Sequence, residues 1–355
     1  MRVVLYTDAM EIGGAEVSLR HLAAHLSENL EVAVLGTDSA VVEFVAAGRS
    51  SASAEVVRAQ SGSLDPRSLW AHMRTLAAAR PDVLHCNLWS PWSCQYAIAG
   101  AVAVPSVSVV AVYQLLVPAA TRQQHVLKRL TSRRVSAHVA VGHRTARDLE
   151  ALIPLRQGTV RTIHNGIPVE RPAIGARQVD GAPTIGAIGR LEPQKGLDVL
   201  LEALARLPQV SLRVVGDGSS RSELEALAER LGVAARVTWV GWSDDPRSEL
   251  ESFDVFVQPS RFEALPLAVL EAMLAGLPVV VTDVGSVADA VVDGKTGVVV
   301  PPDDAAALAD AIAPLLEDPA ARAELGRRAR TRVLEHFSAQ GMAAAFESLY
   351  RELGT

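Results

Sequence analysis

Short apolar runs rich in β-branched residues recur along the 355-residue chain, and the stretches between them return an apolar residue every three or four positions. The first half carries RVVLYT, EVAVLG, DVLHCN, VSVVAVY, HVAVG and VRTIHNG. The second carries TIGAIG, SLRVVGDG, RVTWVGW, DVFVQPS, PVVVTD and TGVVV. Runs of this length, closed by turn residues, predict strands buried on both faces. AEVSLRHLAAHLSEN, LDVLLEALARL, RSELEALAERLG and AALADAIAPLLED show the helical period. Alternating strands and helices predict an α/β protein with parallel sheets. Two such series predict two doubly wound domains. The divide is expected at 168–183, PVERPAIGARQVDGAP, which has Pro, Gly and charge but no period. A last helix, capped by Ser338, is expected in FSAQGMAAAFESLYREL.

Composition narrows the class. A chain with 49% apolar and 21% charged residues is an ordinary globular one, and its length exceeds one ordinary core. The formal net charge of −6 argues against nucleic acid as the main partner. The charge is uneven, about +4 over residues 1–168 and about −10 over the rest. MRVVLYTDAM reads as a strand and not as an export leader. No apolar run approaches the roughly 20 residues that span a bilayer. Cys86 and Cys94 match no metal or redox spacing, so free thiols in a cytoplasmic protein are expected.

The candidate chemistry lies in strand-to-helix loops. Gly189–Gly196, GRLEPQKG, places Arg190 and Lys195 beside a helix start, where unpaired N–H groups and the helix dipole already favour an anion. A guanidinium and an ammonium added there suit a dianion, although a solvated basic loop is equally compatible with the spacing. Gly13-Gly14-Ala15-Glu16 forms a similar turn in the first half, where backbone can approach a ligand closely or simply turn. Gly216-Asp217-Gly218 closes another strand. In SRFEALPLAVLEAM, Pro266 fits the first position of a helix. Glu263 then stands just outside that helix and Glu271 inside it, on the order of 10 Å apart along one edge. A helix start flanked by two carboxylates suits a sugar, a diphosphate and a ribose in line. Asp244-Asp245 and Asp303-Asp304 read as turn and cap residues, and no metal-ligand spacing is present.

These motifs resemble the family 4 glycosyltransferases of the GT-B fold, most closely over Ser260–Pro302 and broadly over the whole chain. The resemblance implies two facing Rossmann-like domains with an interdomain cleft. It assigns residues 1–168 plus 338–355 to an acceptor-side domain and 169–337 to a donor-binding domain. It implies a retaining transfer from a UDP-, GDP- or ADP-sugar, with no metal and no cofactor. By carry-over, Glu263 and the backbone of Ala264 and Leu265 hold the donor sugar, and Glu271 holds the ribose. Arg190 and Lys195 bind the diphosphate, which Gly14 approaches. Gly216 lines the donor site, and the base lies near Val240-Gly241-Trp242. Asn165-Gly166 matches the turn before the linker. The catalytic set so implied is Glu263, Arg190, Lys195 and His85, with neither glutamate assigned as general acid or base.

The sequence departs from the family at the end of VSVVAVY, where many members have a histidine and this chain has Tyr113-Gln114. His85 is a nearby candidate for the missing role, and a packed strand-end histidine is the plainer reading. Ala264 replaces a usual glycine. The missing histidine keeps open a non-catalytic GT-B relative that binds nucleotide-sugar or partners an active transferase. The acceptor, whether glycan, lipid-linked or small molecule, is not named by the motifs. No Asp or Glu occurs between Val83 and Arg147, a span that includes Arg122, Lys128, Arg129, Arg133, Arg134, Arg144 and Arg147. A basic amphipathic helix around Arg122–Arg134 is therefore expected to suit either a peripheral contact with an anionic membrane or plain solvent.

Overall fold

The computed structural model describes residues 1–60, 65–117, 121–153, 155–170, 173, 183–243 and 245–354. Most of the linker expected at 168–183, Asp244 and the side chain of Arg122 lie outside them. The chain divides into two compact units, Met1–Pro168 with Ala339–Thr355, and Val169–Ser338.

The first unit holds a seven-stranded sheet of β1 (Arg2–Thr7), β2 (Glu31–Gly36), β3 (Ser53–Val56), β4 (Val83–Leu88), β5 (Ser108–Tyr113), β6 (Ala137–Ala140) and β7 (Arg161–Thr162). The spatial order is β3-β2-β1-β4-β5-β6-β7, and every pairing is parallel. The strong apolar runs became the central strands because helices cover both faces. Val3, Val4 and Leu5 of β1 and Val83 and Leu84 of β4 are fully buried. β3 has no such run: all four residues of SAEV are exposed, so an edge strand formed without a hydrophobic signal. The helix Ala339–Leu353 belongs to this unit. It buries Met342, Ala343, Phe346, Leu349 and Tyr350, one stripe at helical spacing.

The second unit holds β8 (Thr184–Ile188), β9 (Ser211–Val215), β10 (Val237–Gly241), β11 (Val255–Gln258), β12 (Val279–Thr282) and β13 (Val298–Val300). Their order is β10-β9-β8-β11-β12-β13, again all parallel. The order reverses between β8 and β11. Ligands of open parallel sheets bind outside the carboxyl ends of the strands at such a reversal. The core here is aliphatic, built from residues such as Leu200, Leu204, Val255, Val257 and Ile312. No helix among the described residues is long and apolar enough to cross a membrane.

One acid is buried at a helix start. Glu16 is 2% exposed and accepts hydrogen bonds from Thr7 Oγ1 at 3.3 Å and the Gly13 amide at 3.2 Å. Burial raises its pKa from 4.5 to about 7. The folded chain therefore holds a proton that the unfolded chain releases near pH 4.5, and stability falls as pH rises from about 4.5 to about 7. Glu16→Gln removes that titration and keeps an accepting oxygen. Its melting temperature relative to wild type should rise between pH 5 and pH 8. A difference that stays constant with pH would contradict this account.

Candidate functional site

In the second unit the loops after β8 and β11 are stitched to each other across the strand-order reversal. The Arg261 amide donates to the Gln194 carbonyl at 2.8 Å, and Gln194 Nε2 donates to the Phe262 carbonyl at 2.8 Å. The Arg261 guanidinium forks onto Asp198 at 2.9 and 2.6 Å. It also reaches Asp303 and the Pro193 carbonyl, both at 2.7 Å. Gly196 has φ +62°, and a Cβ there would stand 2.1 Å from the Pro259 carbonyl oxygen, so only glycine lets the loops meet.

That contact delivers Lys195 to Glu263. Their Nζ–Oε1 distance is 2.6 Å, with side chains 17% and 7% exposed. The same carboxylate oxygen accepts from Ser260 Oγ at 2.8 Å and Gln258 Nε2 at 3.1 Å. Ser260 is in turn held by Thr282, whose hydroxyl donates to its carbonyl at 2.5 Å. Gln258 Oε1 is buried with no partner among the described residues. Gln258 lines a small cavity with Gly189, Arg190 and Lys195. Arg190 is exposed, and its side chain makes no hydrogen bond or ion pair with the described residues. A buried acceptor, a fixed ammonium and an open guanidinium thus share one small region.

The helix after Glu263 begins one residue later than expected. Pro266 has φ −71° and ψ 126°, so it is the cap and Leu267–Ala275 the helix. No side chain among the described residues caps its start. Glu271 is the sole charged residue of LAVLEAMLA and is 11% exposed, so it needs a cation. Arg247 supplies one, with Nε and a terminal nitrogen 2.9 and 2.8 Å from Oε1. The sequence reading missed Arg247, whose sole trace was an unassigned cation in a polar turn. Ala264 and Leu265 are buried. The Ala264 carbonyl accepts from the Ser286 amide at 2.8 Å. Gly216 and Gly241 meet through a 2.8 Å amide-to-carbonyl bond at the ends of β9 and β10, next to half-buried Val240 and exposed Trp242. Asp304 caps a helix by accepting from the Ala307 amide.

The first unit corrects one expectation and qualifies another. His85 lies inside β4, not at its end, and is 1% exposed. Its Nδ1 is 2.6 Å from the Tyr350 hydroxyl, its ring packs on Phe346, and burial lowers its pKa to about 3. Enclosed by the last helix, it is a neutral packing residue out of reach of substrate. Lys128 and Arg134 are likewise spent inside the unit. Lys128 Nζ sits 4.6 Å from the Tyr113 ring centroid, 1% exposed, and burial lowers its pKa to about 7. Arg134 donates to the carbonyls of Ala101, Val104 and Val107. Arg129 and Arg133 remain exposed beside exposed Val126 and Leu130. Both cysteines are free and buried.

Gly14 opens its helix at the surface, and a Cβ there would meet nothing within 4 Å, so packing does not require glycine. Gln114 is built into a polar chain. It donates to Asn87 at 2.9 Å and accepts from Asn165 at 3.1 Å, while Asn165 also accepts from Ser18 at 2.7 Å. Asn87 donates to the Ala15 carbonyl. The chain joins the Gly-Gly turn, two strand ends and the Asn165-Gly166 turn. A polar residue closing a buried strand, as Asn87 does, was the available signal for it.

A doubly wound unit with cations and carboxylates converging at its strand-order reversal, paired with a second doubly wound unit, defines the GT-B class of glycosyltransferase. The profile described as Glycosyl transferases group 1 matches residues 175–332, and that of Glycosyltransferase Family 4 matches residues 12–171. Glycogen synthase of Mycobacterium tuberculosis (strain ATCC 25618 / H37Rv) is 31% identical over 284 residues, 76% of this chain and 69% of that protein. The lipopolysaccharide core biosynthesis mannosyltransferase LpcC of Rhizobium leguminosarum bv. viciae is 30% identical over 251 residues, 67% and 71%. Among solved structures, Anabaena HepE in complex with UDP matches with a TM-score of 0.84 at 22% identity, covering 99% of this chain and all of that one. The chain belongs to the family 4 glycosyltransferases.

The Arg247–Glu271 pair is open to a direct test. Removing either partner takes this contact from a largely buried charge. A cycle of Arg247→Ala, Glu271→Ala and the double variant should show a favourable coupling of about 1–2 kcal/mol in urea unfolding. Additive losses would mean that the pair contributes nothing to holding the helix.

Proposed function

We propose that the protein moves a sugar from a nucleoside diphosphate sugar to an acceptor with retention of anomeric configuration and without a metal ion. The observation that carries this reading is the Lys195–Glu263 contact at the strand-order reversal, with Arg190 open beside it. A leaving diphosphate gains negative charge as the glycosidic bond breaks. Arg190 and Lys195 are the groups to stabilise it, already oriented and partly shielded from water. Glu263, fixed by Ser260, Gln258 and Lys195, holds donor-sugar hydroxyls. Glu271 holds the ribose, for which it exchanges at least part of its contact with Arg247. Both carboxylates have cationic side-chain partners, and Arg190 stands open to the diphosphate beside Lys195, which is shared with Glu263; this supports metal independence. Retention is supported by family membership.

The named relatives act in glycan and glycolipid synthesis, as LpcC does in lipopolysaccharide core biosynthesis, and HepE was solved with UDP and with UDP-glucose. Those names support a nucleotide-sugar donor and a role in cell-envelope glycan, glycolipid or polysaccharide synthesis. If the acceptor is lipid-linked, contact with an anionic membrane from the cytoplasmic side falls to the exposed face of Arg129, Arg133, Val126 and Leu130. The second reading is a non-catalytic relative that binds nucleotide-sugar. It is favoured by Gln114, whose amide is occupied by Asn87 and Asn165 where many family members have a histidine.

Product stereochemistry in the presence of EDTA separates these readings. With a donor found by screening UDP-, GDP- and ADP-sugars, NMR of the transfer or hydrolysis product should show the donor's own anomeric configuration. Glu263→Gln should lower kcat by about 10²–10³. An inverted product, activity abolished by EDTA, or turnover unaffected by Glu263→Gln would overturn the proposal.

A further inference from the structure

The first unit contains a cavity of about 340 Å³, lined by residues that include Tyr6, Asp8, His72, Trp89, Trp92 and Tyr96. It lies outside the carboxyl ends of β1 and β4, between which the strand order of the first sheet reverses. Small-molecule pockets typically occupy about 300–1,000 Å³, so there is room for a sugar ring. The chain has only five Trp and four Tyr, and two of each line this one cavity.

The walls are prearranged. Trp89 is 48% exposed, yet its indole N–H donates to Asp8 Oδ1 at 3.1 Å. Trp92 donates its own to the Val117 carbonyl at 2.9 Å. Both rings are fixed by their polar edge, and Trp89 presents much of its surface to solvent. The second Asp8 oxygen accepts from the Cys94 amide at 2.6 Å, and Cys94 has φ +59°, a conformation that costs a non-glycine residue about 1–3 kcal/mol. The loop thus retains backbone strain in the arrangement that sets Trp89 and Asp8 together. His72 Nδ1 lies 2.7 Å from the Ser68 carbonyl and must donate to it, so Nε2 accepts from the Tyr6 hydroxyl at 2.8 Å. Burial lowers the His72 pKa, which keeps the ring neutral.

We infer that this cavity binds an uncharged pyranose ring of the acceptor, with its C–H face on Trp89 and its hydroxyls toward Asp8 and Tyr6. Sugar rings present polarised C–H groups to the electron-rich aromatic face, and a carboxylate is the usual acceptor for paired hydroxyls. No Lys or Arg lines the cavity among the described residues. A phosphate placed there would meet Asp8 with no cation of the described lining to offset it, which counts against a phosphorylated ring. Burial pushes the Asp8 carboxyl above its usual range.

The word acceptor rests on the proposed transferase activity; the sugar-binding chemistry does not. The test is isothermal titration of the full chain with methyl α-D-glucopyranoside, maltose, glucose 1-phosphate and UDP, GDP and ADP, on wild type, Trp89→Ala and Trp89→Phe. At least one neutral saccharide should bind wild type and be weakened tenfold or more by Trp89→Ala. Trp89→Phe, which keeps an aromatic face, should stay within about threefold. Nucleotide affinity should not change in either variant, which also shows that they are folded. Saccharide binding that survives Trp89→Ala, glucose 1-phosphate binding that Trp89→Ala abolishes, or nucleotide binding with no saccharide binding would each overturn the inference. Saccharide binding without any nucleotide binding would support the pocket and count against the transferase.

Discussion

The ion pair between Lys195 and Glu263 is the contact on which the chemistry proposed for the second unit depends. The residues are 68 positions apart and follow different strands. They meet because β8 and β11 are neighbours where the strand order reverses. The pair is mostly buried, and removing one partner of such a pair costs roughly 3–5 kcal/mol. The fold supplies the compensation. Arg261 clamps Asp198, Asp303 and Pro193, while Gly196 allows the close approach to Pro259. An ordinary loop pair would leave both charges to water and would have no fixed place for a sugar or a phosphate.

The two units place their polar groups by the same rule and with different chemistry. In each, the side chains of interest lie beyond the carboxyl ends of parallel strands, because the strand interiors are packed on both faces. The second unit offers three cations, Arg190, Lys195 and Arg247, and two carboxylates, each carboxylate bound to a basic side chain. The first unit offers amides, aromatic rings and one carboxylate, with its lysine at position 128 withdrawn beneath Tyr113. Charge for a diphosphate is therefore found in one unit, and surfaces suited to a neutral sugar in the other.

The central strands were legible because burial on both faces demands continuous β-branched runs, and RVVLYT and EVAVLG became β1 and β2 without adjustment. β3 was not, since its four exposed residues carry no apolar run. Glu263, Arg190 and Lys195 stood out because each lies in a loop beside a helix start, and Glu271 because it is the one charge in an apolar helix. The partner of Glu271 did not, nor did the Asp8–Trp89 pair of the first unit. Arg247 and Glu271 are 24 positions apart, and Asp8 and Trp89 are 81 apart. Nothing local announces a pairing that only the fold creates. His85 misled for the converse reason: a histidine near a strand end looks available until the last helix covers it with Tyr350 and Phe346.

The central claim is that Arg190 and Lys195 take the place of a metal at a diphosphate. It is tested most directly by calorimetric titration of the cognate nucleoside diphosphate and its nucleoside in EDTA, on wild type and Arg190→Met/Lys195→Met. The diphosphate should bind wild type far more tightly than the nucleoside, and the double variant should erase most of that advantage while leaving nucleoside affinity unchanged. A diphosphate advantage that appears only with added divalent cation, or that survives loss of both side chains, would contradict the account.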